Sequence, residues 1–318
     1  MKPKYERHTY QDLSLNLHTE RDSLHYRVKL AAVRLFIDKN PFAFQQNGTS
    51  VVKSRLRHNL NLMKIKAQNQ TDWILNVNGE QLWRTMKLNG SRLLIGPNVE
   101  FHAPWVRQKI EDVSDATILI PSIWVEPIIR SRIPWFKGEI RVLDSDIDLN
   151  YWRPSDSKRT HLLVYLKSNE NEADYLTLVG YCKELQVEIS TVRYGQYSKK
   201  EFRKKLDNSF AAVWLGGTES QGLSLLEAWA MGVPTLVRSA PKYFDDVTKQ
   251  WFNSSSAPLL SAKCGIEFSM ESFSMSQLKL FIDESKHLMP REFVVANYSE
   301  EKSRLKIQQL LQASNPRI

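Results

Sequence analysis

The sequence predicts two α/β domains built on parallel sheets, and three observations carry that reading. Short apolar runs alternate with helical stretches along the chain. One run, Phe210-Ala-Ala-Val-Trp-Leu215, is apolar at every position, the mark of a strand covered on both faces. The alternation becomes cleaner after residue 150, and the segment 148–154, ending Tyr151-Trp152-Arg153-Pro154, reads as the junction. With 318 residues and 42% hydrophobic content, the chain is long enough for two cores and too apolar to be disordered.

Upstream of the junction, β-like runs are expected at 26–37, 73–77, 92–95, 116–120 and 139–143. Gly48-Thr49-Ser50 reads as a loop leading into an amphipathic helix over 51–63, with Val52, Leu56, Leu60 and Met63 along one side. Downstream, strands are expected at 161–166, 187–193, 210–215 and 233–237. Helices are expected at 170–185 and 198–206, then from Gln221 or Gly222 onward, and finally at 298–313. Gly232 is placed to end the helix after Gly222, and Pro234 prevents its continuation. The domains are expected at 1–148 and 149–297, followed by a terminal helical segment, 298–318.

The candidate chemistry lies in the loop and helix after the 210–215 run. Gly216-Gly217 ends that strand, Glu219 lies in the loop, and Glu227 lies just over a turn inside a helix that is apolar almost all round. A carboxylate among buried neighbours needs a partner. In doubly wound sheets, ligands sit outside the carboxyl ends of the strands. The helix amino terminus at Gly222 and Leu223 presents free N–H groups that can hold a phosphate. An anion with hydroxyls nearby, such as a sugar nucleotide, suits that combination.

Composition narrows the class. The net charge is +9, with basic clusters at 53–66, 130–141 and 199–205. An anionic membrane surface or a phosphorylated acceptor would answer such charge, and so would ordinary solvation of a helix face. No nucleic-acid motif accompanies it, so no specific nucleic acid is expected. The two cysteines, Cys182 and Cys264, make no disulfide framework. Residues 1–27 contain no apolar signal core, and no stretch approaches the roughly 18 apolar residues of a membrane span. A cytoplasmic protein, with a membrane surface as a candidate peripheral partner, is the expectation.

Glu219-x7-Glu227 with its internal Gly222-Leu223, followed by Glu227-Ala-Trp-Ala-Met-Gly-Val-Pro234, resembles the donor site of retaining glycosyltransferases of the GT-B fold, the group called glycosyl transferases group 1. The segment 141–154 resembles that family's strand and linker, with Ser145-Asp146 where a Gly-containing turn is usual. The resemblance implies two Rossmann-like domains facing across a cleft, an acceptor-side domain first and a donor domain second. It also implies a terminal helix that packs back on the first. The donor would be a nucleotide-diphosphate sugar, UDP- or GDP-linked, the acceptor a hydroxyl of a glycan, lipid or small molecule, and no cofactor would be required.

Carried over residue by residue, the resemblance places Glu219 against the donor sugar and Glu227 on the ribose hydroxyls, and sets the amides of Gly222 and Leu223 on the diphosphate. Gln221 stands where the family usually has an aromatic residue. Lys167, after the 161–166 strand, falls where a family cation meets the diphosphate; the family's second lysine is absent. Tyr194-Gly195 falls on the loop beside the base. On the acceptor side the candidates are Gly48, Asn98 and His102. Asp144-x-Asp146-x-Asp148 has the look of a metal-binding triplet, but the resemblance puts it in the linker, so capping is the default and no metal is expected. Two alternatives are kept: a non-catalytic GT-B subunit that binds nucleotide sugar or glycan, and a basic peripheral membrane-binding α/β protein.

Overall fold

Buried apolar runs decide the layering of this molecule. In the computed structural model, the described residues are 51–52, 54–56, 58–59, 73–76, 92–97, 116–168 and 171–313. The expected run at 26–37 lies outside them. Among the described residues, the first half carries strands β1 (Trp73–Asn76), β2 (Arg92–Ile95), β3 (Thr117–Ile120) and β4 (Glu139–Val142). They pair in parallel, in the order β1-β2-β3-β4. β3 is buried throughout while β4 is partly open, as a sheet edge would be. Gly96, at φ +124°, lets β2 end against the Leu119 carbonyl; a Cβ there would lie 2.2 Å from that oxygen. Helix α1 (Glu126–Arg132) starts with a proline in its first turn and buries Ile128 and Ile129.

The second half is a five-stranded parallel sheet. β5 (His161–Leu166), β6 (Ile189–Arg193), β7 (Ser209–Leu215) and β8 (Thr235–Arg238) are followed by an antiparallel hairpin, β9 (Lys242–Asp245) and β10 (Gln250–Asn253), and then by β11 (Gly265–Phe268). The sheet order is β11-β8-β7-β5-β6, all parallel. Leu163, Tyr165, Ala212 and Trp214 face one core, with Phe202, Leu225 and Val294 from the covering helices. Leu162, Val164, Ala211, Val213 and Leu215 face the other, with Leu178, Cys182, Leu278 and Phe281. Alternate side chains therefore enter opposite cores, which is why the run is apolar without interruption. Tyr165 and Trp214 stack with ring centroids 4.2 Å apart. Truncating a buried aromatic of this kind costs about 3–5 kcal/mol.

The helices α2 (Glu172–Glu184), α3 (Lys199–Asp207), α4 (Leu223–Ala230), α5 (Met275–Ser285), α6 (Pro290–Tyr298) and α7 (Glu300–Ala313) have legible ends. Ser198 caps α3 by accepting from the Glu201 amide at 3.1 Å, and Ser274 with Gln277 forms a capping box on α5. Gly232, at φ +71°, turns the chain out of α4. The expected 298–313 helix differs by its break: Tyr298 ends α6, and Ser299 at φ −69°, ψ 158° is extended before α7 begins.

Among the described residues, the halves meet along three seams. α7 lies against the helical residues within 51–59, through His58 to Glu300 at 2.8 Å and Asn59 to Ser303 at 3.1 Å. The hairpin joins α1 through a buried Arg132–Asp245 ion pair and through Ser131 to Gln250 at 3.1 Å. Finally, the turn after β3 touches the loop after β7, where Ser122 donates to the Ser220 carbonyl. Both turns follow the carboxyl ends of their strands, so the two sheets present those ends to each other.

Candidate functional site

β5 is the strand at which the sheet order reverses: β6 lies on one side of it, and β7 on the other. Crevices outside such switch points collect ligands. Lys167 and the Glu219 loop leave the sheet there. The Lys167 amide donates to the Leu215 carbonyl at 3.1 Å, which sets the two strand ends side by side. The Lys167 ammonium then reaches Glu219 Oε1 at 2.8 Å and the Thr218 carbonyl at 2.9 Å. Burial raises the Glu219 carboxyl above its ordinary range, against the pull of Lys167.

Gly222 caps α4 in the left-handed region, φ +76°, and its carbonyl accepts from Leu225 and Leu226 at 3.0 Å each. The amides of Leu223 and Ser224 have no acceptor among the described residues, so the amino terminus of α4 keeps free donors beside Glu219. Leu223, Ser224 and Glu227 are the partly open residues of α4; the rest of the helix is buried. They share one face, directed at the same crevice. The Glu227 carboxylate has no hydrogen-bond partner among the described residues, and burial pushes it up to about 8 despite the nearby Lys199. Tyr151 and Tyr197 lie within its electrostatic reach.

Between the two carboxylates runs a phenol pair that the sequence reading missed. Tyr165 and Tyr197 hydroxyls are 3.1 Å apart, and Ser224 bonds Tyr165. Burial raises both phenols, Tyr197 to about 12, so both stay neutral donors. The available signal was Tyr165 itself, the one hydroxyl-bearing residue in the apolar strand 161–166. Lys199, at the start of α3, sits 4.3 Å from the Tyr151 ring centroid. Trp124, whose indole N–H donates to the Glu219 carbonyl at 3.0 Å, carried no sequence signal at all.

The other expected residues fall as follows. Gln221 is buried and turned to the linker, its amide donating to the Ser145 carbonyl at 3.3 Å, with its own oxygen unpartnered among the described residues. Tyr194 is 54% exposed at the carboxyl end of β6, and Gly195 follows at φ +78°. Gly48, Asn98 and His102 lie outside the described residues. The Asp144, Asp146 and Asp148 carboxylates diverge: the first pairs with Lys306 at 2.7 Å, the second with Arg55 and with Asn59 at 3.1 Å, and the third caps the amides of Asn150 and Tyr151 at 3.1 and 3.0 Å. No group of three or more His, Cys, Asp or Glu placed to hold a metal occurs among the described residues. No helix among them is long and apolar enough to cross a membrane.

The sequence matches no family model and no curated protein. Solved structures similar to it include a chain of the GtfA/B complex, at 13% identity and TM-score 0.49, covering 81% of this chain and 60% of that one. The apo form of the lipopolysaccharide outer core galactosyltransferase WaaB is similar at 12% identity and TM-score 0.48, covering 82% of this chain and 80% of that one. Sucrose-phosphate synthase from Thermosynechococcus elongatus is similar at 12% identity and TM-score 0.46, covering 84% of this chain and 79% of that one. This chain thus spans less than two thirds of the GtfA/B relative. Two parallel α/β sheets with facing carboxyl edges, tied by a terminal helix that returns to the first half, give this chain the GT-B fold.

Proposed function

We propose that this protein is a retaining glycosyltransferase that moves a sugar from a nucleotide-diphosphate sugar to a hydroxyl acceptor. The observation that carries the reading is the Lys167–Glu219 pair, 2.8 Å apart, beside the free amino terminus of α4. Transfer breaks the bond between the anomeric carbon and the diphosphate oxygen, whose electron pair leaves with the diphosphate, and forms a bond from that carbon to the acceptor oxygen, whose proton passes to the departing diphosphate. Lys167 and the Leu223 and Ser224 amides supply positive potential where that charge develops. Glu219, on the opposite side of the charge balance, supports the sugar as it becomes cationic. No enzyme nucleophile is assigned. The half-buried Glu227, whose carboxylate has no hydrogen-bond partner among the described residues, accepts from the ribose diol, a role that suits an otherwise unsatisfied carboxylate. The diphosphate charge is met by protein donors, so the reading needs no metal.

The test is a panel of UDP- and GDP-linked sugars, scored for calorimetric binding and for hydrolysis or transfer, with and without chelator. Binding and turnover that survive chelation are expected. Binding of a nucleotide sugar without turnover, on any acceptor or on water, would replace the enzyme with a binding subunit. Absence of binding to every member of the panel would remove the donor-site assignment.

A further inference from the structure

The Glu219 loop is held from across the cleft. Three successive carbonyls accept side-chain hydrogen bonds: Thr218 from Lys167 at 2.9 Å, Glu219 from the Trp124 indole at 3.0 Å, and Ser220 from the Ser122 hydroxyl. The Glu219 amide is also fixed, donating to the Ser255 carbonyl at 2.9 Å. Lys167 and Ser255 belong to the second half. Trp124 and Ser122 belong to the turn after β3, in the first half. A loop that follows Gly216-Gly217 and precedes a left-handed Gly222 has little intrinsic rigidity, so these bonds set its path.

Trp124 is itself held. Its ring meets Tyr243 of the hairpin edge-on, with centroids 6.0 Å apart. Two residues further along β9, Asp245 is fully buried against Arg132, on the helix that follows Trp124. The contact therefore has an anchored base on both sides of the cleft.

We propose that Trp124, with Ser122, is a positioning residue that sets Glu219 from the opposite half, so that the carboxylate is in place only when the halves are closed together. The proposal rests on the glycosyl-transfer reading for its catalytic consequence, but not for its structural one. Trp124 touches no reacting atom in this scheme. It acts through the backbone of Glu219, which keeps donor binding by Glu227 and α4 independent of it.

The experiment compares wild type with Trp124→Phe, which keeps a ring against Tyr243 and deletes the N–H, and with Ser122→Ala. Two quantities are read: amide hydrogen exchange over 218–222, and kcat with KM on whichever UDP- or GDP-sugar is turned over. Trp124→Phe is expected to speed exchange in that segment about ten-fold and to lower kcat about ten-fold, the loss of one hydrogen bond of about 1.4 kcal/mol. KM should stay within about two-fold and global exchange should be unchanged. Faster loop exchange in a protein whose wild type turns over no nucleotide sugar upholds the clamp and overturns the transfer reading instead. Unchanged exchange and unchanged kcat overturn the clamp. So does a parallel loss of kcat, binding and global protection, because that pattern describes a general packing contact.

Discussion

The two parallel sheets among the described residues divide the work of this molecule unequally. The second sheet supplies the candidate charged groups, Lys167, Glu219 and Glu227, from a strand end, a loop and a helix that meet at the sheet's switch point. Among the described residues, the first sheet supplies restraint: Ser122, Trp124 and Arg132 bond to backbone or to a buried carboxylate of the other half. The difference teaches that chemistry on one sheet can depend on geometry lent by the other. Substitutions on the two sides should therefore fail differently.

The largest effect should come from breaking the seam. Asp245 is fully buried, and although burial works against its charge, the Arg132 guanidinium and the Thr248 hydroxyl and amide hold its carboxyl down to about 2. Asp245→Ala leaves the Arg132 charge buried without a partner, and should destabilise the fold by about 3–5 kcal/mol in chemical denaturation. Because the folded pKa is depressed, the pair's contribution is present above the ordinary aspartate range and is lost as pH falls toward about 2. Wild-type stability should show that acid loss, and the variant should lack that component. A variant as stable as wild type would mean that the seam is not what joins the halves.

On the other side of the comparison, Glu219→Gln should lower turnover roughly 100-fold while donor affinity changes less than about three-fold, since charge there matters when the sugar becomes cationic. Steady-state kinetics beside calorimetry would separate these. Equal losses in affinity and turnover would assign Glu219 to ground-state binding. Glu227→Ala should do the reverse, weakening the donor roughly 10- to 100-fold with turnover at saturation little changed.

Glu227 offers a finer test. With its carboxyl at about 8, it is mostly protonated at pH 7. A diol that donates to the carboxylate favours the ionised form, so donor binding at pH 7 should release a proton. Calorimetry in buffers of different ionisation enthalpy would detect that release, and Glu227→Gln should abolish it. Without ligand, the raised pKa means that Glu227 favours folding when protonated. That contribution is full below the ordinary glutamate range and is lost as pH rises through about 8; the Gln variant should flatten this slope. The smallest effect belongs to Gly222→Ala, where φ +76° should cost about 1 kcal/mol of stability without removing either carboxylate.

The fold was more legible than the site. A run such as 210–215 can be read because both faces of β7 are buried and no position needs a polar residue. Gly232 and Pro234 marked the end of α4 because helix exits need a left-handed residue and a break. The hairpin β9–β10 went unread: its strands are four residues each, and Asp245 sits in one of them as a buried ion-pair partner that no local pattern announces. In the site, the Glu219 to Glu227 spacing is a local property of loop and helix. The contact of Lys167 with Glu219 joins residues 52 apart, and that of Trp124 with Glu219 joins residues 95 apart. Such pairs exist only after sheet order and closure are decided, so sequence pattern alone does not carry them.

The return of α7 to the first half has a consequence for how the protein is made. Asn59 is fully buried and its amide bonds Asp146 and Ser303; Asp144 takes its cation from Lys306. These polar groups of early-made segments thus receive partners from a helix that leaves the ribosome some 240 residues after Asn59. Until then the first half carries groups that water or a chaperone must satisfy, and its final packing waits on α7. A nascent chain halted before Glu300 should hold its second sheet and still expose the face around Asn59. Arrest of translation just upstream and just downstream of α7, followed by limited proteolysis, would show at which point that face becomes protected.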